Sequence, residues 1–167
     1  QGGSPTGYFL RKYIQEATSF EPGKEAVSKH HWVIYRYAET LLTYAESMVN
    51  AFNDVNYTDE TYKYSALWAI NEVRKNADMP LIPSMGKDEF MERLYNEWRV
   101  EFAFEDHRFW DIRRWLIADD EGVMKGAMYG LQLSAVTGAP GKVHYKPYVF
   151  ENRLWSDRSY LHPSRPK

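Results

Sequence analysis

Residues 96–115 constrain the fold more than any other part of this chain. On a helical period of 3.6 residues, apolar side chains in and next to this stretch fall close to one face: Leu94, Trp98, Phe102, Phe109 and Ile112. Phe104 and Trp110 point elsewhere, so large rings occupy most of the circumference. A helix of this kind is normally buried on several sides. We therefore expect residues 96–115 to be the hub around which other helices pack.

Charged side chains in the same stretch are spaced for ion pairing along a helix. Glu105, Arg108, Asp111 and Arg114 follow one another at intervals of three residues, so opposite charges can meet on adjoining turns. Charged groups near a core persist when they are paired. We predict that these four residues form an ion-pair network inside or at the edge of the helix core.

A second set of acidic residues has a spacing that also occurs in catalysis. Glu97, Glu101 and Glu105 are four residues apart, which places their carboxyl groups on one helix face. A glycoside hydrolase needs two carboxyl groups about 5 to 9.5 Å apart across a cleft. Each glutamate here lies one turn from an arginine or among bulky rings, so we favour structural ion pairing over hydrolysis by Glu97 or Glu101.

The apolar pattern predicts a mainly α-helical fold. The predicted helices span residues 34–52, 59–77 and 87–117. Thr58 is a candidate N-cap of the second helix, and Ser84 and Asp88 are alternative caps of the third. Because no helix-breaking residue occurs near Glu105, the sequence leaves open whether the third helix continues to 117 or kinks.

The first two predicted helices resemble one degenerate tetratricopeptide unit, because both carry alanines where two helices would touch. Ala66, Ile70 and Val73 follow the small, bulky, small pattern of that repeat only loosely, and the connection between the helices is longer than the repeat allows. No second copy occurs at a period of about 34 residues. The sequence alone therefore does not establish a solenoid.

Residues 118–167 show no sustained helical period. Glycine recurs throughout them, and Gly138-Ala139-Pro140-Gly141 is a turn signal. We predict long irregular surface loops in this region, with room for one short strand pair.

Composition and charge exclude several classes of function. Twenty-one basic and 23 acidic residues, without a block of like charge, indicate neither nucleic acid nor an anionic membrane surface as a partner. The chain has no cysteine, and its histidines lack the spacing of metal ligands, so neither a metal nor a cofactor is predicted. No nucleophile motif occurs, so no enzyme activity is predicted. A length of 167 residues fits a single domain over 1–167.

Four segments match the motifs of one protein family in the expected order. They are Gly7–Tyr13, Tyr35–Glu46, Ala69–Arg74 and Asn96–Trp115. The last contains Asn-Glu-Trp-Arg-Val-Glu-Phe-Ala-Phe-Glu, then His-Arg-Phe-Trp-Asp and Arg-Arg-Trp, and a weaker match follows at Tyr160-Leu161-His162-Pro163. Over about residues 7–116 the chain closely resembles the C-terminal part of SusD/RagB-type proteins. Four ordered motifs make a chance match far less credible than one glycine pattern would.

This resemblance implies a fold and a function. Proteins of this type build a SusD-like α/α superhelix from tetratricopeptide-like helix pairs, with long irregular loops that hold sugar. They are cell-surface lipoproteins of the outer membrane that capture oligosaccharides, without catalysis, for uptake through a partner TonB-dependent transporter of the SusC type. They are longer than this chain and begin with a signal peptide and a lipidated cysteine. The resemblance therefore implies a lipid anchor upstream of residue 1 as the only membrane attachment.

A helical scaffold for protein contact, with no sugar affinity, is the alternative function. An exposed aromatic ring with polar groups at its edge would favour sugar binding over that alternative. Candidate rings lie outside the helical periods, beside glycine, proline and polar residues: Trp32, Tyr129, Tyr145, Tyr148 and Trp155. Loops on a rigid scaffold are the usual place for recognition, although each ring could instead pack into the core.

Overall fold

A computed structural model describes residues 4–136 and 141–161. The chain divides into a helical unit, residues 31–108, and a hairpin unit that combines residues up to 30 with those from 109 onward. Helix accounts for 35% of the described residues and strand for 16%, so the prediction of a mostly helical chain holds broadly. The predicted turn at 138–140 and the motif match at His162-Pro163 lie outside the described residues.

Three helices form the helical unit. They are α1, Tyr37–Phe52; α2, Ala66–Asn76; and α3, Lys87–Glu101. Helix α1 packs against both α2 and α3. Ala45 in α1 and Ala69 in α2 are completely buried, which fits the prediction that small side chains let helices approach closely.

The core of the helical unit comes from the apolar stripes of its helices. Its large buried members include Leu42, Val49, Ile70, Val73, Phe90, Leu94, Trp98 and Phe102. Burial of each such side chain contributes roughly 1.5 to 3 kcal/mol. Phe90 is fully enclosed, so Phe90→Ala would cost about 3 to 5 kcal/mol through lost burial and the cavity left behind.

The second helix begins later than predicted. We expected it to begin at residue 59, but the Asp59 carboxylate accepts the backbone N–H groups of Thr61 and Tyr62, at 2.8 and 2.7 Å, and holds a turn instead. Such local side-chain bonds compete with helix formation. Helix α2 begins at Ala66, where the Ser65 hydroxyl accepts the Trp68 N–H at 3.1 Å.

The third helix also begins differently from the prediction. Its N-cap is Gly86, not Ser84 or Asp88. The Ser84 hydroxyl accepts a hydrogen bond from the Asn56 side-chain amide at 2.6 Å, so it is used outside the helix. Asp88 lies in the first turn, where a negative charge favours the helix dipole.

The predicted hub is two helices rather than one. Helix α3 ends at Glu101, and α4 spans His107–Arg114. Between them the backbone of Phe104 and Asp106 is left-handed, each with φ of 63°. This conformation costs a non-glycine residue about 1 to 2 kcal/mol, and it could not be predicted because neither position holds a helix breaker. The predicted helix over 87–117 is therefore interrupted between 102 and 106, which is one of the two alternatives that the sequence left open, and α4 ends at Arg114 rather than at 117.

The hairpin unit contains a longer strand pair than we predicted for the loop-rich region 118–167. Strand β1, Gly126–Ala135, runs antiparallel to β2, Val143–Arg153, with one register shift after Met128. Cross-strand pairs such as Leu131 with Pro147 and Leu133 with Tyr145 supply apolar contacts. The sequence did not predict the full length of β1, because the strand contains glycines and glycine usually indicates a loop.

Gly130 is needed because another segment packs against β1. The Leu131 N–H donates to the Thr6 carbonyl at 2.8 Å, on the edge of β1 that faces away from β2. A Cβ at Gly130 would lie only 2.8 Å from Thr6 O and 3.1 Å from the Tyr148 ring. The backbone groups of Leu131 point toward Thr6 and away from β2, so Leu131 and Pro147 form a cross-strand pair without hydrogen bonds. The backbone nitrogen of Pro147 therefore points to the outer edge of β2.

Candidate functional site

Three of the five predicted aromatic residues lie on the hairpin. Tyr129 and Tyr145 project to the same face, 63% and 67% exposed, and Tyr148 projects to the opposite face. Tyr145 pairs with Leu133, four residues from Tyr129, which is roughly 13 Å along the strand. That separation is too large for one sugar ring to contact both tyrosines.

Tyr148 belongs to a separate cavity of about 460 Å³. Its hydroxyl donates to the Pro5 carbonyl, which ties β2 to the N-terminal segment. Phe9, Gln132 and Leu133 also line this cavity. The ring of Tyr148 covers Gly130, so its contacts combine packing with a place at the cavity wall.

The two tryptophans lie in different units. Trp32 is in the helical unit and is 71% exposed. Trp155 is half-buried in the hairpin unit, with its ring edge-on to Tyr160 at 5.1 Å and the Arg113 guanidinium 5.4 Å from its centroid. Its indole N–H is buried and has no hydrogen-bond partner among the described residues. The four candidates of the hairpin unit therefore lie at three separate places.

A groove of about 510 Å³ lies between α4 and residues 156–161, and we call it the α4 groove. Its side chains are Phe109, Trp110, Arg113, Arg158, Tyr160 and Leu161, together with two serines. Trp110 is 59% exposed and meets Phe109 edge-to-face, with centroids 4.9 Å apart at 83°. The groove thus combines an exposed indole with hydroxyl and guanidinium groups at its edge.

Arg113 is held in place by the two sides of this groove. Its Nη1 donates to the Phe109 carbonyl at 2.7 Å, and its Nε donates to the Ser159 carbonyl at 3.2 Å. The guanidinium lies 3.6 Å from the centroid of the Phe109 ring. The arginine therefore fixes the ring and the turn around it.

Tyr160 closes one end of the α4 groove through a contact with Asp119. The phenol donates to the Asp119 carboxylate, and the Asp119 N–H donates to the phenol oxygen at 3.2 Å. The hydrogen bond from Tyr160 lowers the pKa of Asp119. Burial, followed by this same hydrogen bond, raises the pKa of Tyr160. At neutral pH the contact therefore joins a neutral phenol to an ionised carboxylate.

The sequence matches the model of a known protein family. The model of the SusD family matches residues 1–163. This chain belongs to the SusD family. No curated protein and no solved structure matches it. The SusD family is a non-catalytic binding family, known for glycan binding at the cell surface.

The three glutamates of this SusD-family chain that resembled a hydrolase pair contact arginines. Glu97 accepts from Arg74 at 2.6 Å, and Glu105 accepts from Arg36 at 2.8 Å. Glu101 also bonds to Arg36, through its carboxylate and its carbonyl. Both arginines come from outside α3, so the glutamates bind the helical unit together, in line with the structural interpretation.

The predicted row of charges is present in part. Arg114 Nε donates to Asp111 Oδ1 at 3.1 Å, at the expected spacing. Glu105 reaches Arg36, a residue that the sequence pattern did not suggest because it lies 69 positions away. The two predicted ion pairs of Arg108, with Glu105 and with Asp111, stay predictions.

Residues 4–136 and 141–161 contain neither a cluster of metal ligands nor a membrane-spanning helix. No group of three histidine, aspartate or glutamate residues in this part could hold a metal ion. No helix described there is long and apolar enough to cross a bilayer. SusD-family proteins are typically associated with the cell surface or the outer membrane.

Sequence reasoning missed the residues that α4 brings to the groove. We had placed Phe109 on the buried face of a hub helix, yet it is 41% exposed. The predicted candidate rings all lie in segments without helical periodicity, so Trp110, which lies in a predicted helix, was not among them. The one available signal was that Trp110 falls off the apolar face of its helix.

Proposed function

We propose that this chain binds oligosaccharides without catalysis, as part of a cell-surface lipoprotein that passes them to a partner TonB-dependent transporter of the SusC type. The observation that carries this proposal is the match to the SusD family over residues 1–163. The lipid anchor would lie upstream of residue 1. The partner transporter and uptake come from the resemblance rather than from contacts in this chain.

The α4 groove is our proposed sugar site within the chain. The face of an exposed indole removes apolar C–H surface of a sugar from water, and nearby donors satisfy its hydroxyls. Trp110 supplies the indole, while Arg113 and the serines supply donors. Because no titratable group changes charge near neutrality in this scheme, binding should be weak, reversible and nearly independent of pH around 7.

The five aromatic residues chosen from the sequence take different places in this proposal. Trp155 would act from behind the groove, by packing against Tyr160 and Arg113. Tyr148 would serve a second, smaller site in its own cavity. Tyr129 and Tyr145 would add exposed rings for a glycan on the hairpin face, and Trp32 would offer a separate exposed ring in the helical unit.

We also propose that α1 and α2 represent one tetratricopeptide-like pair of a SusD-like superhelix. They are consecutive, pack together and bury alanines. In this proposal residues 1–167 form a single domain, the C-terminal region of a longer protein.

A titration of the full-length protein with a panel of oligosaccharides tests this function. The heat of binding or the change in tryptophan fluorescence would report binding, and residues 1–167 alone would be titrated in parallel. We expect Trp110→Ala to weaken binding about tenfold, on the scale of one stacked aromatic contact. Tyr129→Ala is the comparison variant, because it removes an equally exposed ring of the hairpin face and so separates binding in the groove from binding on that face.

Three outcomes separate the alternatives. If Tyr129→Ala weakens binding and Trp110→Ala does not, the sugar lies on the hairpin. If the full-length protein binds and this chain does not, the platform lies upstream and these rings are structural. If neither binds any sugar, the proposed function fails.

Protein contact without sugar affinity is the second candidate function, and one observation favours it. The hairpin face that carries Tyr129 and Tyr145 also exposes Leu133, Val143 and Val149. Exposed apolar patches of this kind mark protein contacts. Loss of partner binding on Leu133→Asp, with no sugar bound by the unaltered protein, would support this candidate over the first.

A further inference from the structure

The α4 groove has an unbalanced charge. It is lined by two arginines, Arg113 and Arg158, and none of the described residues that line it is acidic. Guanidinium groups keep their charge at any pH at which a protein is folded. The groove therefore carries two positive charges beside an exposed indole.

The interactions of these arginines leave that charge uncompensated. The hydrogen bonds of Arg113 go to two neutral backbone carbonyls, and its other contacts are with the rings of Phe109 and Trp155. Arg158 forms no ion pair within the described residues. By contrast, Arg36, Arg74 and Arg153 elsewhere in the chain each pair with glutamate. The two arginines of the groove therefore differ from these three in having no carboxylate partner within the described residues.

The Asp119 carboxylate, which is bonded to Tyr160 of the groove, is already engaged. Asp119 accepts the Tyr160 phenol and interacts electrostatically with Lys125. It therefore does not serve as the counter-ion of Arg113 or Arg158.

We propose that the α4 groove selects glycans that carry an anionic substituent, either a carboxylate or a sulfate. This inference rests on the proposed function and names its substrate class. The sugar ring lies on Trp110, and its anionic group meets Arg158 and the free edge of Arg113. Guanidinium forks bind carboxylate and sulfate oxygens through paired, charge-assisted hydrogen bonds, which are roughly twice as strong as neutral ones. A neutral glycan would leave both positive charges without a counter-ion.

Matched ligands test the inference on the unaltered full-length protein. One pair is oligogalacturonate and its methyl ester, which differ in a carboxylate. The other is a sulfated galactan oligosaccharide and its desulfated form. We expect the anionic member of at least one pair to bind about tenfold more tightly, and the pair that shows the difference identifies the anion. Its affinity should also fall between 50 and 300 mM salt, because partly exposed charges are screened.

Variants then locate the effect. We expect Arg158→Ala to remove the preference for the anionic member, and Arg158→Lys to retain part of it. Arg153→Ala is the matched control, since this arginine pairs with Glu151 at 2.9 Å and does not line the groove. The control should keep the full preference.

Each contrary result is distinct. Equal affinity for the charged and neutral members, with binding still lost on Trp110→Ala, overturns the anionic preference and leaves the proposed function intact. A preference that survives Arg158→Ala overturns the assignment to this groove. No binding of any member overturns both proposals.

Discussion

Arg36 makes the strongest test of how the helical unit is held together. Its guanidinium bridges the carboxylates of Glu101 and Glu105, donates to the Glu101 carbonyl at 2.7 Å and lies 4.2 Å from the centroid of the Phe102 ring. Burial lowers the pKa of Arg36, but the hydrogen bonds to Glu105 and Glu101 outweigh this, so its pKa is raised. The arginine is therefore charged throughout the pH range of folding.

The expected cost of Arg36→Ala follows from the burial of the groups left behind. Breaking a fully buried pair costs about 3 to 5 kcal/mol, whereas an exposed pair is worth under about 1. The Arg36 side chain is 28% exposed and that of Glu105 is 9% exposed. We therefore expect a loss of about 3 kcal/mol, near the lower end of the buried range. For a chain of this size that lowers the melting temperature by about 6 to 12 °C.

Thermal unfolding followed by far-ultraviolet circular dichroism measures this loss. Arg93→Ala is the matched control, because Arg93 is 60% exposed and its Nη2 is 3.8 Å from the Glu89 carboxylate. It should change the free energy of unfolding by less than about 0.5 kcal/mol. Adding Glu105→Gln to Arg36→Ala should restore about 1 kcal/mol, because it removes a buried charge that has lost its bond to Arg36. If Arg36→Ala and Arg93→Ala melted together, our account of these ion pairs would be refuted.

Three further predictions concern other parts of the chain. Arg108→Ala should lower the melting temperature by more than about 2 °C if the predicted charge row is continuous, and a smaller change would show that its pairing is superficial. Gly130→Ala should cost about 1 to 3 kcal/mol in chemical denaturation because its Cβ meets backbone, whereas Gly86→Ala, with nothing within 4 Å, should cost only about 0.5 to 1 kcal/mol, because alanine is a poorer N-cap than glycine. Because the pKa of Asp119 is lowered, its contact with Tyr160 is fully stabilising above about pH 3.9 and is lost as pH falls through the lower folded value. Tryptophan fluorescence should follow that loss in the parent and not in Tyr160→Phe.

The helices could be predicted where apolar periodicity and local signals agreed. Helix α1 ends at Phe52 as predicted, because Asn53 adopts a left-handed conformation that asparagine tolerates. The beginning of α2 could not be predicted, because two competing caps, Thr58 and Ser65, precede a similar apolar pattern. The choice between them depends on the turn that Asp59 forms.

The candidate site was predicted less well than the fold. Trp155 stays a predicted site residue, and its neighbour Arg113 comes from a helix 42 residues earlier. The exposure of Trp110 depends on the break between α3 and α4, which sets the start of α4. A break built from left-handed Phe104 and Asp106 has no compositional signature, so the groove could not be found from the sequence.

Pro147 has a consequence beyond the hairpin itself. A strand without a neighbour normally offers a row of alternating donors and acceptors that invites another chain to add to the sheet. At Pro147 this row lacks its N–H, so an arriving strand would lose a ladder bond in the middle of the contact. Where protein molecules are packed densely, the exposed sheet edges of neighbouring molecules can pair with each other. The hairpin can therefore expose tyrosine and leucine side chains for recognition while its backbone discourages fibre-like stacking of neighbouring molecules.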